Sequence, residues 1–122
     1  MKLVSVNLPT PDAKKLANFY HDVLGASIDD SHGGPGRIEI RFGEKDYSTV
    51  FIVATQDEDY ERSATTACQG FEFSVQDANE EYKRILNLGI VVEEPPKDLP
   101  WGYRYFHIKD SDGNGIDLVQ KL

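Results

Sequence analysis

The chain of 122 residues has one cysteine, one tryptophan and one methionine, and fewer cations than anions. A lone thiol, Cys68, can close no intrachain disulfide and build no thiolate metal cluster, so it reads as a small apolar side chain. Thirteen basic residues against twenty-one acidic give a formal charge of −8, and such a surface repels phosphate backbones. Nucleic acid is therefore not an expected partner. No apolar run approaches the roughly 20 residues that cross a bilayer, and no cationic-then-apolar segment opens the chain as a secretory signal does. A cytoplasmic protein without a membrane partner is the expectation. No serine-centred nucleophile motif is present, which leaves covalent hydrolysis without support.

Period-2 alternation is what the sequence has in abundance. Leu3 to Leu8, Arg37 to Phe42, Ser48 to Ala54, Gln69 to Val75, Tyr103 to Ile108 and Ile116 onward read as half-buried strands. Pro9-Thr-Pro-Asp is expected to break the first of them. Either Thr10 or Asp12 can then cap a helix from Ala13 that carries Leu16, Phe19, Tyr20, Val23 and Leu24 and stops at Gly25. Short strands are expected over Ala26 to Asp30 and Ile90 to Glu93, and Ser31 to Gly36 is a glycine loop containing His32. Asp77 caps a second helix with Ala78, Tyr82, Ile85, Leu86 and Leu88, ending at Gly89, and Glu94 to Pro100 reads as a proline-rich loop.

The pattern repeats. Asp77 follows Asp12 by 65 residues, Gly89 follows Gly25 by 64, and Ile116 follows Val50 by 66. An internal repeat fixes the architecture before any fold is named. The expectation is an α+β fold of two tandem βαβββ modules, about 1–54 and 68–122, with a polar connector over 55–67. The sheets are mostly antiparallel, with helices on one face and a cleft on the other. Beneath the helices belong Val4, Val6, Ile38, Ile40, Val50, Ile52, Phe71, Phe73, Phe106, Ile108, Ile116 and Leu118. Alternation assigns Ser5, Asn7, Glu39, Arg41, Thr49, Phe51, Gly70, Glu72, Tyr103, Tyr105, His107 and Asp117 to the cleft side.

Asp110-Ser-Asp-Gly-Asn-Gly has the alternating acids of an EF-hand loop, but the closing glutamate is replaced by Lys121 and a strand follows instead of a helix. A hairpin turn is the expectation, with Gly113 and Gly115 free to take positive φ.

Asp12, Phe19-Tyr-His-Asp-Val-Leu-Gly25, Pro100-Trp-Gly102 and Asp110-Ser-Asp-Gly-Asn114 followed by Ile116-Asp-Leu118, on a duplicated βαβββ unit, resemble the vicinal oxygen chelate superfamily. That superfamily includes glyoxalase I, extradiol dioxygenases, and fosfomycin- and bleomycin-resistance proteins. The resemblance spans essentially the whole chain. It implies a divalent metal between the halves, at positions occupied here by Ser5, Phe51, Gly70 and Asp117. Only Asp117 is a good ligand, and a catalytic divalent site needs about three protein donors. No metal or other cofactor is therefore expected, and the character is that of the bleomycin-resistance branch. The alternative is one divalent metal ion held by different ligands among Glu39, Glu72, His107 and Asp117, serving a lyase, isomerase or dioxygenase.

The expected ligand-binding set is Glu39, Arg41, Phe51, Glu72, Trp101, Tyr103, Tyr105, His107 and Asp117, with Tyr47 adding aromatic surface. Such a pocket suits an aromatic or cationic, antibiotic-like small molecule, bound in the inter-module cleft or at a dimer interface. Arg41 pairing with Glu39 or Glu72 would reduce its net charge. His107 beside Asp117 reads either as an acid/base dyad or as a hydrogen-bonded structural histidine. Trp101 reads either as a stacking platform or as a plug anchoring its loop. A cleft filled by its own side chains, leaving only a scaffold, is the third possibility. A homodimer is expected because open sheets leave edges that favour association.

Overall fold

A computed structural model describes residues 1–31, 36–43, 49–57 and 70–122. His32, Tyr47, Ser48, Cys68, Gln69 and residues 58–67 of the connector lie outside them. The chain divides into two compact units, Met1–Arg62 and Ser63–Leu122. It has an α+β fold of tandem modules, each a four-stranded mixed sheet with one helix.

In the first unit the order is β1 (Ser5–Thr10), α1 (Ala13–Leu24), β2 (Ser27–Asp29), β3 (Arg37–Arg41) and β4 (Phe51–Gln56), with sheet order β1-β4-β3-β2. β1 runs parallel to β4, and the other pairs are antiparallel. Contrary to the expectation, β1 continues through Pro9 to Thr10. An edge strand tolerates proline because its missing N–H can face away from the ladder. β4 likewise extends to Gln56, two residues beyond the expected end.

Asp12 caps α1, its carboxylate accepting from the Lys15 amide at 3.0 Å. Thr10 takes a supporting role, its Oγ1 accepting from the Asp12 amide at 3.2 Å. Gly25, at φ 75°, closes the helix as a left-handed cap that a side chain would strain. The helix buries Ala13, Leu16, Ala17, Tyr20 and Val23. Tyr20 is wholly buried, with the rings of Phe19 and Phe42 edge-on at 5.8 and 6.2 Å. Val4 and Val50 do not join this core and are 45% and 44% exposed. Each lies one residue before its strand begins, at the end of the sheet.

The second unit repeats the plan with β5 (Gly70–Ser74), α2 (Ala78–Asn87), β6 (Lys97–Leu99), β7 (Tyr103–Lys109) and β8 (Gly115–Lys121), in the order β5-β8-β7-β6. Phe106, Ile108, Ile116 and Leu118 are buried, and Tyr82 of α2 meets Phe106 edge-on at 5.7 Å. Phe71 and Phe73 are half-buried. Leu86 and Leu88 are exposed rather than packed, because the buried stripe of α2 is Ala78 and Ile85. The strand expected over Ile90 to Glu93 does not form. β6 lies instead within the proline-rich segment, pairing Lys97, Asp98 and Leu99 with Tyr105, Arg104 and Tyr103. Leu99-Pro-Trp-Gly102 is the turn between them, closed by the Gly102 amide on the Leu99 carbonyl at 3.1 Å. Proline suits the second position of such a turn, and Gly102 has φ 92°.

Asp110 to Asn114 forms a hairpin turn. Asp110 Oδ1 accepts from the amides of Asp112 and Asn114, both at 2.9 Å, and Oδ2 accepts from Asn114 Nδ2. Gly113 takes positive φ, whereas Gly115 does not and is the first residue of β8. The carboxylate that resembled a calcium ligand is spent on holding its own turn.

A symmetry of detail links the modules. Gln56, at the end of β4, accepts from the Ala13 amide at 2.8 Å; Gln120, near the end of β8, accepts from the Ala78 amide at 2.9 Å. Each glutamine ties the last strand of its module to the first residue of that module's helix. It satisfies one N–H left orphaned by helix geometry.

Candidate functional site

Strand register places the expected residues more finely than alternation alone. In the first unit, the face away from α1 carries rows that run across the sheet. Ser5 pairs with Phe51, and Arg41 with Ser27; Asn7 pairs with Val53, which pairs in turn with Glu39. Glu39, Arg41 and Phe51 are 6–7% exposed. Arg41 Nη2 stands 3.5 Å from Glu39 Oε2, with its guanidinium carbon 3.7 Å from the centroid of Phe51. Arg37 Nη1 reaches the other oxygen of Glu39 at 3.5 Å. A cation between a carboxylate and an aromatic face is held by Coulomb and quadrupole attraction together. These three residues engage one another, the pairing of Arg41 with Glu39 among them.

The second unit presents a different surface on its corresponding face. Glu72 of β5, Asp117 of β8 and His107 of β7 occupy one row, since Glu72 pairs with Asp117 and Asp117 with His107. In the next row stand Ser74, Val119, Tyr105 and Lys97. Tyr103 pairs with Lys121 one row further on. His107 Nδ1 lies 2.7 Å from Asp117 Oδ1, and their side chains are 48% and 34% exposed. A carboxylate offers only acceptors, so Nδ1 carries the shared proton and Nε2 of the neutral ring is left with a lone pair. Glu72 is exposed, and Tyr103 and Tyr105 are half-buried.

Trp101 sits at the tip of the β6–β7 turn and is 69% exposed. It lies at the opposite end of this short hairpin from Lys97 and Tyr105.

A cavity of about 210 Å³ lies beside β7, against the loop that follows α2. Glu93, Glu94, Pro95, Lys97, Tyr105, Phe106 and His107 line it. Lys97 Nζ is 3.4 Å from Glu94 Oε2 and 5.5 Å from the Tyr105 ring centroid. The side chain of Tyr105, and secondarily that of Glu94, holds the ammonium above the ordinary lysine range. Nearby, Arg104 Nε meets Asp98 Oδ1 at 2.6 Å, and this hydrogen bond holds the Asp98 carboxyl below the usual carboxylate range. Sequence reasoning missed Glu93, Glu94 and Lys97. The available signal was charge flanking Pro95-Pro96, but placing a strand over Ile90 to Glu93 hid the pairing of Lys97 with Tyr105.

The four positions that would hold a divalent ion do not fit one. Phe51 offers a ring already faced by a guanidinium, Gly70 has no side chain, and Ser5 has a hydroxyl only. Register sets Glu72 rather than Gly70 opposite Asp117, but among the described residues no three of His, Cys, Asp and Glu stand together as a metal-holding group. No helix among the described residues is long and apolar enough to cross a membrane.

Comparison with solved structures returns the same architecture. A glyoxalase/bleomycin resistance protein/dioxygenase from Nocardioides superposes with a TM-score of 0.79 at 16% identity, covering 100% of this chain and 84% of that one. The virulence protein STM3117 from Salmonella typhimurium gives 0.77 at 25% identity, covering 100% and 98%. TnmS3, described as an antibiotic binding protein from Streptomyces sp. CB03234, gives 0.74 at 21% identity, covering 100% and 97%. No curated protein matches the chain. The family model for the Glyoxalase/Bleomycin resistance protein/Dioxygenase superfamily matches residues 2–118. With that match over nearly its whole length and the duplicated βαβββ architecture, the chain belongs to the glyoxalase/bleomycin resistance protein/dioxygenase superfamily.

Proposed function

We propose that this protein sequesters an aromatic or cationic, antibiotic-like small molecule without a metal ion, on the open face of its second module. One observation carries the reading: Glu72, Asp117 and His107 share a row beside Tyr105 and Tyr103, polar and aromatic side chains that keep access to solvent. Carboxylates beside aromatic rings suit a planar cation, each stacking or cation–π contact contributing on the order of 1 kcal/mol. The description of TnmS3 as an antibiotic binding protein supports the reading, as does the mismatch between the metal positions and their residues. Homodimeric assembly and cytoplasmic residence belong to the same proposal. The outer strands β1, β2, β5 and β6 leave sheet edges that association would cover.

Trp101 is the single tryptophan, so its emission reports on the hairpin tip two residues from Tyr103. Titration with a planar aromatic cation is expected to change that emission saturably. Asp117→Asn then weakens the cation selectively, whereas Tyr105→Ala weakens charged and neutral aromatic ligands alike. No saturable change with any member of an aromatic library, in fluorescence or calorimetry, overturns the proposal. Preferential binding of anions reverses the sign assigned to the site. Elemental analysis of untagged protein finding about one tightly held divalent ion per chain would favour a metal-dependent enzyme instead. Light scattering decides the oligomer, a monomer mass up to submillimolar concentration counting against the dimer.

A further inference from the structure

The cavity beside β7 carries a more specific chemistry than the face as a whole. Its wall combines apolar surface from Pro95 and the ring of Tyr105 with polar groups whose partners can be counted. Lys97 is occupied by Glu94 and lies near the Tyr105 ring. His107 reaches the cavity as well, with Nδ1 committed to Asp117 at 2.7 Å. Its Nε2 has no hydrogen-bond partner among the described residues. The unused lone pair of Nε2 asks for a donor, and the apolar wall asks for a ring. Two carboxylates, Glu93 and Glu94, against one ammonium, Lys97, disfavour an anion.

From this we infer that the cavity takes a neutral phenol-type ring whose hydroxyl donates to His107 Nε2, while Asp117 acts as a positioning residue that fixes the imidazole tautomer. The inference rests on the small-molecule reading and names the ligand chemistry at one part of its site. No covalent step is involved. An ionised Asp117 can only accept, so it holds the proton on Nδ1 and makes Nε2 an acceptor; an amide at the same place can accept or donate and leaves the tautomer undetermined.

The test uses para-cresol and para-methylanisole, rings of similar size in which only the first has a proton to give. Binding to the full chain is followed by NMR shifts of the Phe106 and His107 amides. One net hydrogen bond corresponds to para-cresol binding on the order of 5-fold tighter. His107→Phe, at a half-exposed position, should erase the preference for para-cresol. The imidazole ¹⁵N spectrum should show His107 protonated at Nδ1 in the wild type and a mixture of tautomers in Asp117→Asn, with the preference falling in parallel. Equal binding of the two probes to the wild type overturns the inference, as does an Nε2-protonated His107. If the planar cation still saturates while the probes bind equally, only this inference fails. If neither probe nor cation binds, the small-molecule reading falls with it.

Discussion

The two modules have the same element order and sheet order, yet their faces away from the helix differ in kind. In the first, Glu39, Arg41 and Phe51 are buried, the guanidinium bracketed by a carboxylate and a ring. In the second, Glu72 and the His107–Asp117 pair keep substantial exposure, and the cavity beside β7 leaves imidazole Nε2 to be used. Gln56 and Gln120 make the same tie in each module and stand 64 residues apart, so Asp117 answers to Val53, and duplication has put an apolar side chain in one module where the other has an acid. A repeated fold supplies positions, and the side chains at those positions decide whether a face becomes packing or chemistry. The helices differ in the same direction: α1 buries five residues and α2 only two.

The largest expected effect sharpens that contrast in packing. Tyr20→Ala removes a wholly buried ring with two edge-on neighbours and should cost roughly 3–5 kcal/mol in chemical denaturation. Tyr82→Ala, at a half-buried position on α2, should cost less than half as much. Equal losses would show that the two helices are anchored alike.

The charged faces come next. Arg41→Met strands a buried Glu39 with only the more exposed Arg37 for support and should destabilise by roughly 3 kcal/mol. Asp117→Asn breaks a partly exposed pair and should shift stability by less than about 1 kcal/mol while changing ligand affinity. If Asp117→Asn unfolds the protein and Arg41→Met does not, the assignment of packing to one module and chemistry to the other is reversed.

A smaller, symmetric effect is expected at the glutamine ties. Gln56→Ala and Gln120→Ala each remove the acceptor from a helix N-terminal amide and should each cost about 1 kcal/mol. Unequal costs in thermal melts would locate another difference between the modules.

The smallest effect concerns Asp98, whose carboxyl Arg104 holds below the usual range. A depressed folded-state pKa contributes stability above the unfolded value, and that contribution disappears as pH falls through the folded one. NMR titration should place the Asp98 midpoint below that of an ordinary carboxylate, and Arg104→Met should return it. Because the pair is exposed, the global stability profile should hardly move.

The duplicated plan, both helix caps, the two sheets and the hairpin at Asp110 are legible in the chain, because alternation, cap chemistry and turn residues are local signals. Those same signals put Tyr105, His107 and Asp117 on one face. Alternation assigned Val4 and Val50 inward because it does not see where a sheet ends. The strand proposed over Ile90 to Glu93 failed because apolar β-branched residues gave it the right composition without a partner. Lys97–Leu99, sequentially unremarkable, became β6 because β7 had an edge to pair with. Tertiary structure alone set the register that lines up Glu72, Asp117 and His107, seated Lys97 beside Tyr105, and laid Arg41 across Phe51. The reason is physical: periodicity of two along a strand fixes which face a side chain takes, whereas its neighbours across the sheet depend on pairings between segments distant in sequence, which no local preference encodes.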